Sequence, residues 1–456
     1  MAKSQIGLIG LAVMGENLAR NIAGHGFKIS VFNRTTEKTT QFIEKFKKNS
    51  LLTGTRNLKE FISSLETPRK IILLVKAGEA VDEIIKKLTP LLNKNDILID
   101  CGNSHFKDTE KRQQYLKQKQ IHFIGCGISG GEEGALKGPS LMPGGDKKAW
   151  KKIQLIFEKI AAKDFSDKPC VTYLGPGGSG HFVKMVHNGI EYAIMQLIAE
   201  SYDILKNIGK FSNPELAKTF SNFNKTENLK SFLIEITAKI FTKKEGSKYL
   251  IDLIKDSAGQ KGTGKWTTQE ALNLSASIPI INAAVDARVI SGDETYRKNY
   301  KTFPKIILKI KKQNITQLVH DALELSVVLS YIQGFELISK ASLEYNWNLS
   351  LNEIARIWQG GCIIRSKILT ENRFAIFNSP FFLKEFSNTK QKNWRKLLIL
   401  TTSIGLPAPA LSSALTYYDT LTNKNLPQNL TQAQRDFFGA HGYERIDKKG
   451  SFHTEW

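Results

Sequence analysis

Short runs of aliphatic and β-branched residues alternate with longer amphipathic stretches through the first 175 residues of the chain. In the stretches, apolar residues recur at helical spacing. Neighbouring parallel strands need crossover connections of this kind, so the alternation predicts a parallel sheet built from βαβ units. The expected strands are residues 5–9, 28–32, 70–75, 96–100, 121–125 and 170–174.

A glycine-rich run, Gly-Pro-Gly-Gly-Ser-Gly at residues 175–180, ends this pattern and is typical of a domain boundary. Beyond it, the apolar period is helical to about residue 430. We therefore expect an α/β Rossmann-type N-terminal domain (1–177), a large all-α domain (178–434) and a C-terminal tail (435–456). Residues 186–191 and 319–324 resemble each other, which favours a duplicated helical unit within the second domain.

The composition narrows the class of protein. Among 456 residues, 65 Lys and Arg against 43 Asp and Glu give a formal charge of +22. Thirteen of the basic residues are Arg, and the Lys residues are scattered, whereas nucleic-acid readers favour clustered Arg with aromatic neighbours. We interpret the charge as a solvated, Lys-rich surface and expect no nucleic-acid partner. An attraction for anionic small molecules is compatible with it.

The cysteine spacing, the N-terminal residues and the longest uncharged stretch bear on whether the protein binds a metal and on its cellular compartment. The four cysteines do not form a CxxC or Cys/His motif, so we expect neither a disulfide framework nor a metal site. The N-terminal residues do not resemble a secretory signal. The uncharged stretch at residues 397–418 contains a glycine and two prolines, and we expect two packed segments rather than a membrane span. These features favour a cytoplasmic protein without a membrane partner.

A glycine-containing turn follows the first expected strand and leads into a helical pattern. Its residues are Gly10, Leu11, Ala12, Val13, Met14 and Gly15. In dinucleotide-binding folds the first glycine permits a tight turn, the small middle residue admits the pyrophosphate, and the last glycine packs helix against strand. Ala12 replaces the usual middle glycine. A tight turn without a ligand is the alternative, which the strand–turn–helix context disfavours.

The end of the second expected strand bears on the choice of cofactor. NAD-binding proteins usually place an acidic residue about 20 positions after the turn, where it binds the ribose 2′-hydroxyl. Here the residues are Asn33, Arg34 and Thr35, without a carboxylate. The Arg34 guanidinium can instead donate to a 2′-phosphate, so NADP is favoured over NAD. A surface role for Arg34 at the strand end is the alternative.

A row of polar residues follows the glycine-rich boundary. Its members share one face of a helical pattern: Lys184, His187, Asn188, Glu191 and Tyr192. A lysine with a lowered pKa can act as a base and a glutamic acid can donate a proton, so the row suits acid–base chemistry on an alcohol. A solvated helix face has the same spacing, and spacing alone does not separate the two.

Motifs along nearly the whole chain resemble the 6-phosphogluconate dehydrogenase family. They are residues 10–15, 33–35, 75–77, 128–134, 138–145, 181–192, 259–266, 360–366 and 432–441. Three positions depart from the family pattern: Ala193 and Ile194 replace Gly-Asp, and Gln359 replaces Arg. The resemblance implies NADP as cofactor, 6-phosphogluconate as substrate, and oxidative decarboxylation to ribulose 5-phosphate and CO2.

The resemblance also implies roles for individual residues. Lys184 would be the base and Glu191 the proton donor. The cofactor would be held by residues 10–15 and 33–35 and by Val75, Lys76, Ala77 and Asn103. Substrate contacts would come from Asn103, Ser129, Gly130, Gly131, His187, Asn188, Tyr192, Lys261, Thr263 and Arg288. Arg435 and His441 of the partner subunit would complete the phosphate site, which implies a homodimer with shared active sites.

Two other classes of protein share part of the pattern. β-Hydroxyacid dehydrogenases share the turn, the Ser-Gly-Gly segment and the pair Lys184 and Asn188, but they are shorter and lack the 261–266 and 435–441 segments. A cofactor-sensing or RNA-binding protein on the same platform would not need Lys184 and Glu191. Release of CO2 during turnover separates the first class from the family, and strongly salt-dependent RNA binding without turnover would favour the second.

Overall fold

A seven-stranded sheet forms the first part of the protein in its computed structural model, which describes residues 3–299, 311–370 and 384–456. The strands are β1 (Ile6–Ile9), β2 (Ile29–Phe32), β3 (Leu52–Gly54), β4 (Lys70–Leu73), β5 (Ile97–Asp100), β6 (His122–Ser129) and β7 (Ser140–Gly145). Their order is β3-β2-β1-β4-β5-β6-β7, and the neighbouring pairs are parallel except for β6 and β7. This is the order of dinucleotide-binding folds with an antiparallel edge strand added, so the Rossmann-type prediction is confirmed.

Five of the six expected strands lie on observed ones. The prediction for residues 170–174 is wrong, because that segment forms no strand and makes an isolated bridge from Val171 to Leu141. Strands β3 and β7 were not predicted. The first has three residues, and the second contains Pro143 and two glycines, which a pattern search assigns to a loop.

Helices connect the strands of the sheet. They are α1 (Val13–Gly24), α2 (Thr36–Lys45), α3 (Leu58–Ser63), α4 (Glu79–Leu88), α5 (Phe106–Gln118), α6 (Gly131–Lys137) and α7 (Lys147–Ile160), with a 3-10 turn at Thr89–Leu91. Helix α4 illustrates why they form: Val81, Ile85 and Leu88 lie at i, i+4 and i+7 and are all buried. This apolar stripe packs the helix onto the sheet.

The second part of the chain is mostly helical, as predicted. Its helices are α8 (Ser179–Asn207), α9 (Asn213–Phe223), α10 (Phe232–Ile240), α11 (Thr263–Asn273), α12 (Pro279–Gly292), α13 (Glu294–Lys298), α14 (Lys312–Glu344) and α15 (Leu351–Ile357), followed by Asn388–Ser403 and Pro409–Thr422. A short ribbon of Lys244–Glu245 and Lys248–Tyr249, and 3-10 turns at Leu250–Leu253 and Lys367–Thr370, lie between them. The last two helices divide the uncharged stretch at residues 397–418, as expected.

Helices α8 and α14 form the centre of this domain and pack against each other. Helix α14 is long and apolar enough to cross a membrane, but 89% of its apolar window is buried inside the protein. Helix α8 is buried on nearly all sides through its first four turns, because it lies between the sheet strands β6 and β7 and the other helices. Ile194, where the family usually has Asp, is 3% exposed and joins this apolar core.

The C-terminal segment is folded rather than irregular. The helix Gln428–Gly439 spans the expected boundary at residue 435, and a ribbon of Tyr443–Glu444 and Ser451–Phe452 follows. Asp436, fully buried, accepts hydrogen bonds from the Gly442 and Thr454 backbone and from the Trp456 indole. One carboxylate therefore holds helix, ribbon and C-terminus together. The apolar periodicity of the sequence did not predict this folded segment, because tertiary hydrogen bonds stabilise it.

The buried carboxyl of Glu200, on α8, makes the stability of the fold depend on pH. It is 4% exposed and accepts from the backbone N–H groups of Ala410 and Leu411 at 2.8 and 2.9 Å, in the first turn of the helix Pro409–Thr422. Burial raises its pKa from 4.5 to about 7. Folding therefore takes up a proton, and the resulting stabilisation is full below pH 4.5 and is lost as the pH rises through 7.

We predict that Glu200→Gln removes this dependence. Between pH 4.5 and pH 8, the unfolding free energy of the wild type should fall by on the order of 3 kcal/mol relative to the variant. Urea unfolding at several pH values measures the difference. The exposed Glu37 provides the control, and Glu37→Gln should follow the wild type. Parallel pH profiles for Glu200→Gln and the wild type would contradict the prediction.

Candidate active site

A cleft of about 450 Å³ lies at the carboxyl ends of β1, β2 and β4. Ligands of open α/β sheets bind at this edge, beside the helix that follows the first strand. Most of the predicted cofactor residues line it: Gly10, Ala12, Asn33, Arg34, Thr35, Val75 and Lys76. Among the lining residues not predicted from the sequence are Lys38, Ala80, Glu83, Ile84 and Lys87. They lie on α2 and α4, and single polar or apolar positions on a helix carry no separate signal.

The turn before α1 has the geometry of a phosphate-binding turn. Gly10 adopts φ +108°, and a Cβ there would lie 2.4 Å from the Leu74 carbonyl oxygen. A Cβ at Gly15 would lie 1.9 Å from the Gly10 carbonyl oxygen, so α1 can approach β1 only with glycine at this position. The Leu11 N–H donates to the Asn33 side-chain oxygen at 3.0 Å, which ties the turn to the end of β2. Leu11, Val13, Gly15 and Ala77, also predicted to bind the cofactor, do not line the cleft.

A second cavity, of about 650 Å³, opens between the two domains. It is formed by the loop after β5, the end of β6, and helices α8, α11 and α12. It gathers nearly all the predicted substrate and catalytic residues: Asn103, Ser129, Gly130, Gly131, Lys184, Asn188, Glu191, Tyr192, Lys261, Thr263 and Arg288. Met14, predicted for the cofactor turn, also lines it, so the start of α1 borders both cavities.

Lys184 is buried at the floor of this second cavity. Its side chain packs directly on Gly127 of β6, where an added Cβ would lie 2.3 Å from the Lys184 Cβ. Burial lowers the pKa of Lys184, and the negative charge of Glu191 offsets part of that effect. The Lys184 amine lies 3.3 Å from Nδ1 of His187. An amine of lowered pKa at a cavity wall can accept a proton.

Glu191 lies two turns further along α8, and its pKa is shifted in the opposite direction to that of Lys184. Burial raises the pKa of its carboxyl, while the charges of Lys184 and Arg288 partly offset the effect. The Arg288 guanidinium stacks on the Tyr192 ring, with its carbon 3.4 Å from the ring centre. The site therefore combines a weakened cation and a weakened acid, the pairing required for proton transfer in both directions.

His187, predicted as a substrate contact, is 0% exposed and does not line the cavity, but it connects α8 to neighbouring segments. Its Nε2 lies 2.9 Å from the Ser129 hydroxyl and 2.8 Å from the Cys362 sulfur. Burial and the charge of Lys184 lower the pKa of His187, so the ring is neutral. Burial raises the pKa of Cys362 to about 12, so its thiol is also neutral. Cys362 was not predicted as a site residue, although its segment was among the family motifs.

The neighbouring Asn188 reaches helix α11. Its side-chain amide donates to the Thr263 hydroxyl at 3.2 Å, which joins α8 to the segment that carries Lys261. At the other end of the cavity, Gly130 adopts φ +117°, and a Cβ there would lie 2.7 Å from the Gly361 carbonyl oxygen. The glycines of the Ser-Gly-Gly segment thus leave the backbone accessible at the cavity wall.

Arg435 and His441 do not line this chain's own cavity. Arg435 donates to the Gln432 side chain at 3.0 Å, and the His441 ring contacts Phe438. Phe437 and Phe438 beside them are 67% and 73% exposed, although both are large aromatic side chains. The residues are therefore presented on the surface of a folded segment.

One cluster among the described residues has the composition of a metal site: His320, Asp321 and Glu324. It occupies the part of α14 that resembles residues 187–191 of α8. Lys390 pairs with Glu324 at 2.9 Å, and Asp321 accepts from Asn393 and Gln317 at 2.7 Å. Both carboxylates thus have charged or polar protein partners, and the cluster is an ion-pair network joining α14 to its neighbours.

Sheet order, turn geometry and the buried acid–base pair define the class: a two-domain dinucleotide-binding protein of the dehydrogenase type. Comparisons with known proteins agree. The family model "NAD binding domain of 6-phosphogluconate dehydrogenase" matches residues 5–175, and "6-phosphogluconate dehydrogenase, C-terminal domain" matches residues 180–456. The chain therefore belongs to the 6-phosphogluconate dehydrogenase family.

Full-length relatives are similar to the chain throughout. The NADP(+)-dependent, decarboxylating 6-phosphogluconate dehydrogenase of Bacillus subtilis is 51% identical, over 100% of both chains. The decarboxylating 6-phosphogluconate dehydrogenase of Synechococcus elongatus is 49% identical, also over 100% of both. A solved structure of 6-phosphogluconate dehydrogenase from Plasmodium falciparum, described with its cofactor NADP+ and its substrate 6-phosphogluconate, has a TM-score of 0.93 at 44% identity and covers 99% of this chain and 100% of its own.

The contact between Lys184 and Gly127 gives a prediction. Gly127→Ala would place a methyl group 2.3 Å from the Lys184 Cβ and 2.8 Å from its Cγ, so the lysine must move. We expect turnover to fall by about 100-fold, because a displacement of about 1 Å at a reacting group has that effect. Initial rates at saturating substrate measure it. Gly24→Ala, where nothing lies within 4 Å of the added Cβ, is the control. A wild-type rate in folded Gly127→Ala would contradict this placement of Lys184.

Proposed function

We propose that this chain catalyses the NADP-dependent oxidative decarboxylation of 6-phosphogluconate to ribulose 5-phosphate and CO2, in the cytoplasm. The observation that carries the proposal is the pair of Lys184, whose pKa is lowered, and Glu191, whose pKa is raised, in one cavity with Asn103 and Arg288. Relatives that bear this activity in their names match the chain over its full length, which supports the same assignment.

The cofactor cleft fits NADP. Its turn lets the backbone approach a pyrophosphate, because Gly10 and Gly15 leave no room for side chains. Arg34 and Lys38 line the cleft beyond the end of β2 and would hold the 2′-phosphate, while Asn33, Thr35, Val75 and Lys76 would hold the rest of the nucleotide. When bound, NADP+ takes up the hydride released from the substrate.

The proposed mechanism begins with Lys184. As a neutral amine it removes the proton from the C3 hydroxyl of the substrate while C3 loses its hydride. Its burial makes the neutral form accessible, and the loss of hydration strengthens its interaction with the hydroxyl. The product is a β-keto acid. Protonated Lys184, with Asn188 and His187 nearby, then stabilises the oxygen that becomes negative as CO2 leaves.

Glu191 completes the reaction. Its protonated carboxyl donates to C1 of the enediol that decarboxylation leaves, which yields ribulose 5-phosphate. Burial keeps this proton on the carboxyl at higher pH than for a solvated glutamate. Lys184 gives its proton to the C3 oxygen as the enediol forms and takes it back from that hydroxyl as C1 is protonated. A net proton transfer from Lys184 to Glu191 then restores both groups for the next turnover.

The two ends of the substrate match the two ends of the cavity. Ser129, Gly130 and Gly131 would receive the carboxylate through accessible backbone N–H groups. Tyr192, Lys261, Thr263 and Arg288 would hold the phosphate at the opposite end, where Lys261 and Arg288 supply positive charge. Asn103 would contact both substrate and cofactor from the loop after β5.

We further propose a homodimer in which Arg435 and His441 of the partner subunit complete the phosphate site. In support, neither residue lines the cavity of its own chain, and both belong to a folded segment with Phe437, Phe438 and Trp456 exposed. Burial of these rings against a second copy would stabilise the pair. The domain divisions 1–177, 178–434 and 435–456 remain part of this proposal.

The activity is tested directly by incubating the purified protein with 6-phosphogluconate and NADP+. We expect NADPH and CO2 in equal amounts, with ribulose 5-phosphate as the product. Oxidation without CO2 would instead support a β-hydroxyacid dehydrogenase, and salt-dependent RNA binding without turnover would support a binding protein.

The role of Arg34 gives a second prediction. Arg34→Asp should raise the KM for NADP+ by roughly 10–150-fold relative to the KM for NAD+, because it removes a charged hydrogen bond of about 1.5–3 kcal/mol. Steady-state kinetics with the two nucleotides measure the ratio. Arg20, on α1 outside this cleft, provides the control through Arg20→Asp. An unchanged ratio would show that Arg34 does not bind the 2′-phosphate.

The two proton carriers are separable. Lys184→Ala should abolish NADPH formation, because the base acts in the first step. Glu191→Gln should retain NADPH formation in a single turnover but lose most release of ribulose 5-phosphate, because it acts in the last step. Rapid-quench analysis of both products measures the two steps. Equal loss of both steps in the two variants would refute the separate roles.

Mixed dimers test the shared site. Chains with Lys184→Ala and chains with Arg435→Ala should each be inactive alone, yet random mixing should restore about a quarter of wild-type activity, because each mixed dimer contains one intact site. As a control, Lys184→Ala mixed with Glu191→Gln should restore none, since both residues come from one chain. Mixed dimers that form without recovered activity would show that the tail does not complete the neighbouring site.

A further inference from the structure

His181 lies in the first turn of α8, one turn before Lys184, and has no role in the proposed mechanism. It is 2% exposed. Two glycines of β6 seat the two side chains: a Cβ at Gly125 would lie 2.8 Å from Nδ1 of His181, and a Cβ at Gly127 would lie 2.3 Å from Cβ of Lys184. Gly125 and Gly127 are two residues apart and lie on one face of β6. His181 and Lys184 are three residues apart and lie on one face of α8, so each glycine makes room for one of the two side chains.

The loop after β5, residues 101–104, carries Asn103, and its Gly102 backbone lies near the His181 ring. Asp100 builds this loop, because its carboxylate accepts from the Gly102 N–H at 3.0 Å and from the Ser104 hydroxyl at 2.6 Å. Arg112 of α5 lies 3.4 Å from the same carboxylate and pairs with Asp82 of α4. The loop is therefore fixed to the sheet domain by charged groups.

His181 joins α5, the helix that directly follows this loop, to α8. Its Nδ1 lies 2.6 Å from the Thr109 hydroxyl of α5. Its Nε2 makes no hydrogen bond of standard geometry with any described residue, but the backbone of Asp100 and of Gly102 lies close enough to favour the protonated ring. Burial has the larger effect and lowers the pKa of His181, so the ring is neutral with one N–H. The Thr109 hydroxyl also lies 3.3 Å from the His105 carbonyl oxygen of its own helix, and either this hydroxyl or the ring N–H can donate across the contact between Thr109 and His181.

We propose that His181 is a positioning residue that fixes the 101–104 loop, and with it Asn103, against the helix that carries Lys184. Both Asn103 and Lys184 line the second cavity, so a shift between loop and helix changes the distance across the reacting part of the site. The phosphate end, formed by Lys261 and Arg288, belongs to other elements and should be unaffected. The kinetic consequence rests on the proposed function.

The kinetic test uses Thr109→Val, which removes the hydroxyl partner of His181 while keeping the shape, and His181→Asn. For both we expect kcat to fall by about 10–100-fold with an unchanged KM for 6-phosphogluconate. The isotope effect on kcat with substrate deuterated at C3 should rise, because hydride transfer becomes slower than product release. Thr109→Ser, which keeps the hydroxyl, should restore wild-type values. Thr401→Val is the matched control, since Thr401 is equally buried but bonds within its own helix.

Amide hydrogen exchange tests the contact without turnover. In the protein without ligands, Thr109→Val should speed exchange in residues 101–104, whereas Thr401→Val should not. A folded Thr109→Val protein with wild-type kcat, isotope effect and exchange would overturn the proposal, as would equal losses in Thr401→Val. If the wild type itself forms no NADPH, the proposed function fails, and the exchange experiment still decides whether His181 holds the loop.

Discussion

The burial of α8 between the two domains is the constraint on which the rest of the site depends. The helix approaches the sheet closely because Gly125 and Gly127 of β6 have no side chains to hold it away. That approach removes water from Lys184 and lowers its pKa. It also places the lysine in the wall of the cavity that Asn103 enters from the sheet domain. Packing, electrostatics and site geometry thus have one origin.

Opposed pKa shifts on one helix underlie the proposed acid–base chemistry. Desolvation destabilises the charged forms of Lys184 and Glu191 alike, so it lowers one pKa and raises the other. The Coulomb attraction between the two charges acts against both shifts, and desolvation is the larger influence in each case. The pKa values of Lys184 and Glu191 are thereby brought closer to neutral pH, where each group can both accept and donate a proton.

The sequence predicted most of the fold, and most of the residues that it assigned to a site line the two cavities, for physical reasons that can be named. Strand–turn–helix patterning at residues 5–24 located the cofactor turn, because both glycines are required by backbone contacts. The helical spacing of Lys184 and Glu191 placed them on one face. The pattern could not show that this face is buried, which depends on β6 and the helices around it. Family resemblance, rather than periodicity, supplied the remaining residues proposed to bind the substrate.

The misses have a common cause. Strand β7 and the folded segment around Asp436 are stabilised by partners distant in sequence, and local propensity is low in both. Cys362 contacts His187 and Lys38 lines the cofactor cleft through their placement in space, and neither belongs to a spacing pattern that indicates a role. Local rules thus located the elements, whereas tertiary contacts determined which side chains meet.

The most direct measurement of this account is the pKa of Lys184 itself. Carbon-13 labelled lysine allows the side chain to be followed by NMR through a pH titration, with Lys184→Arg used to assign its signal. The account predicts a midpoint below 10.5, and a further decrease in Glu191→Gln, because the charge of Glu191 raises the lysine pKa in the wild type. A midpoint at or above 10.5, unaffected by Glu191→Gln, would contradict it.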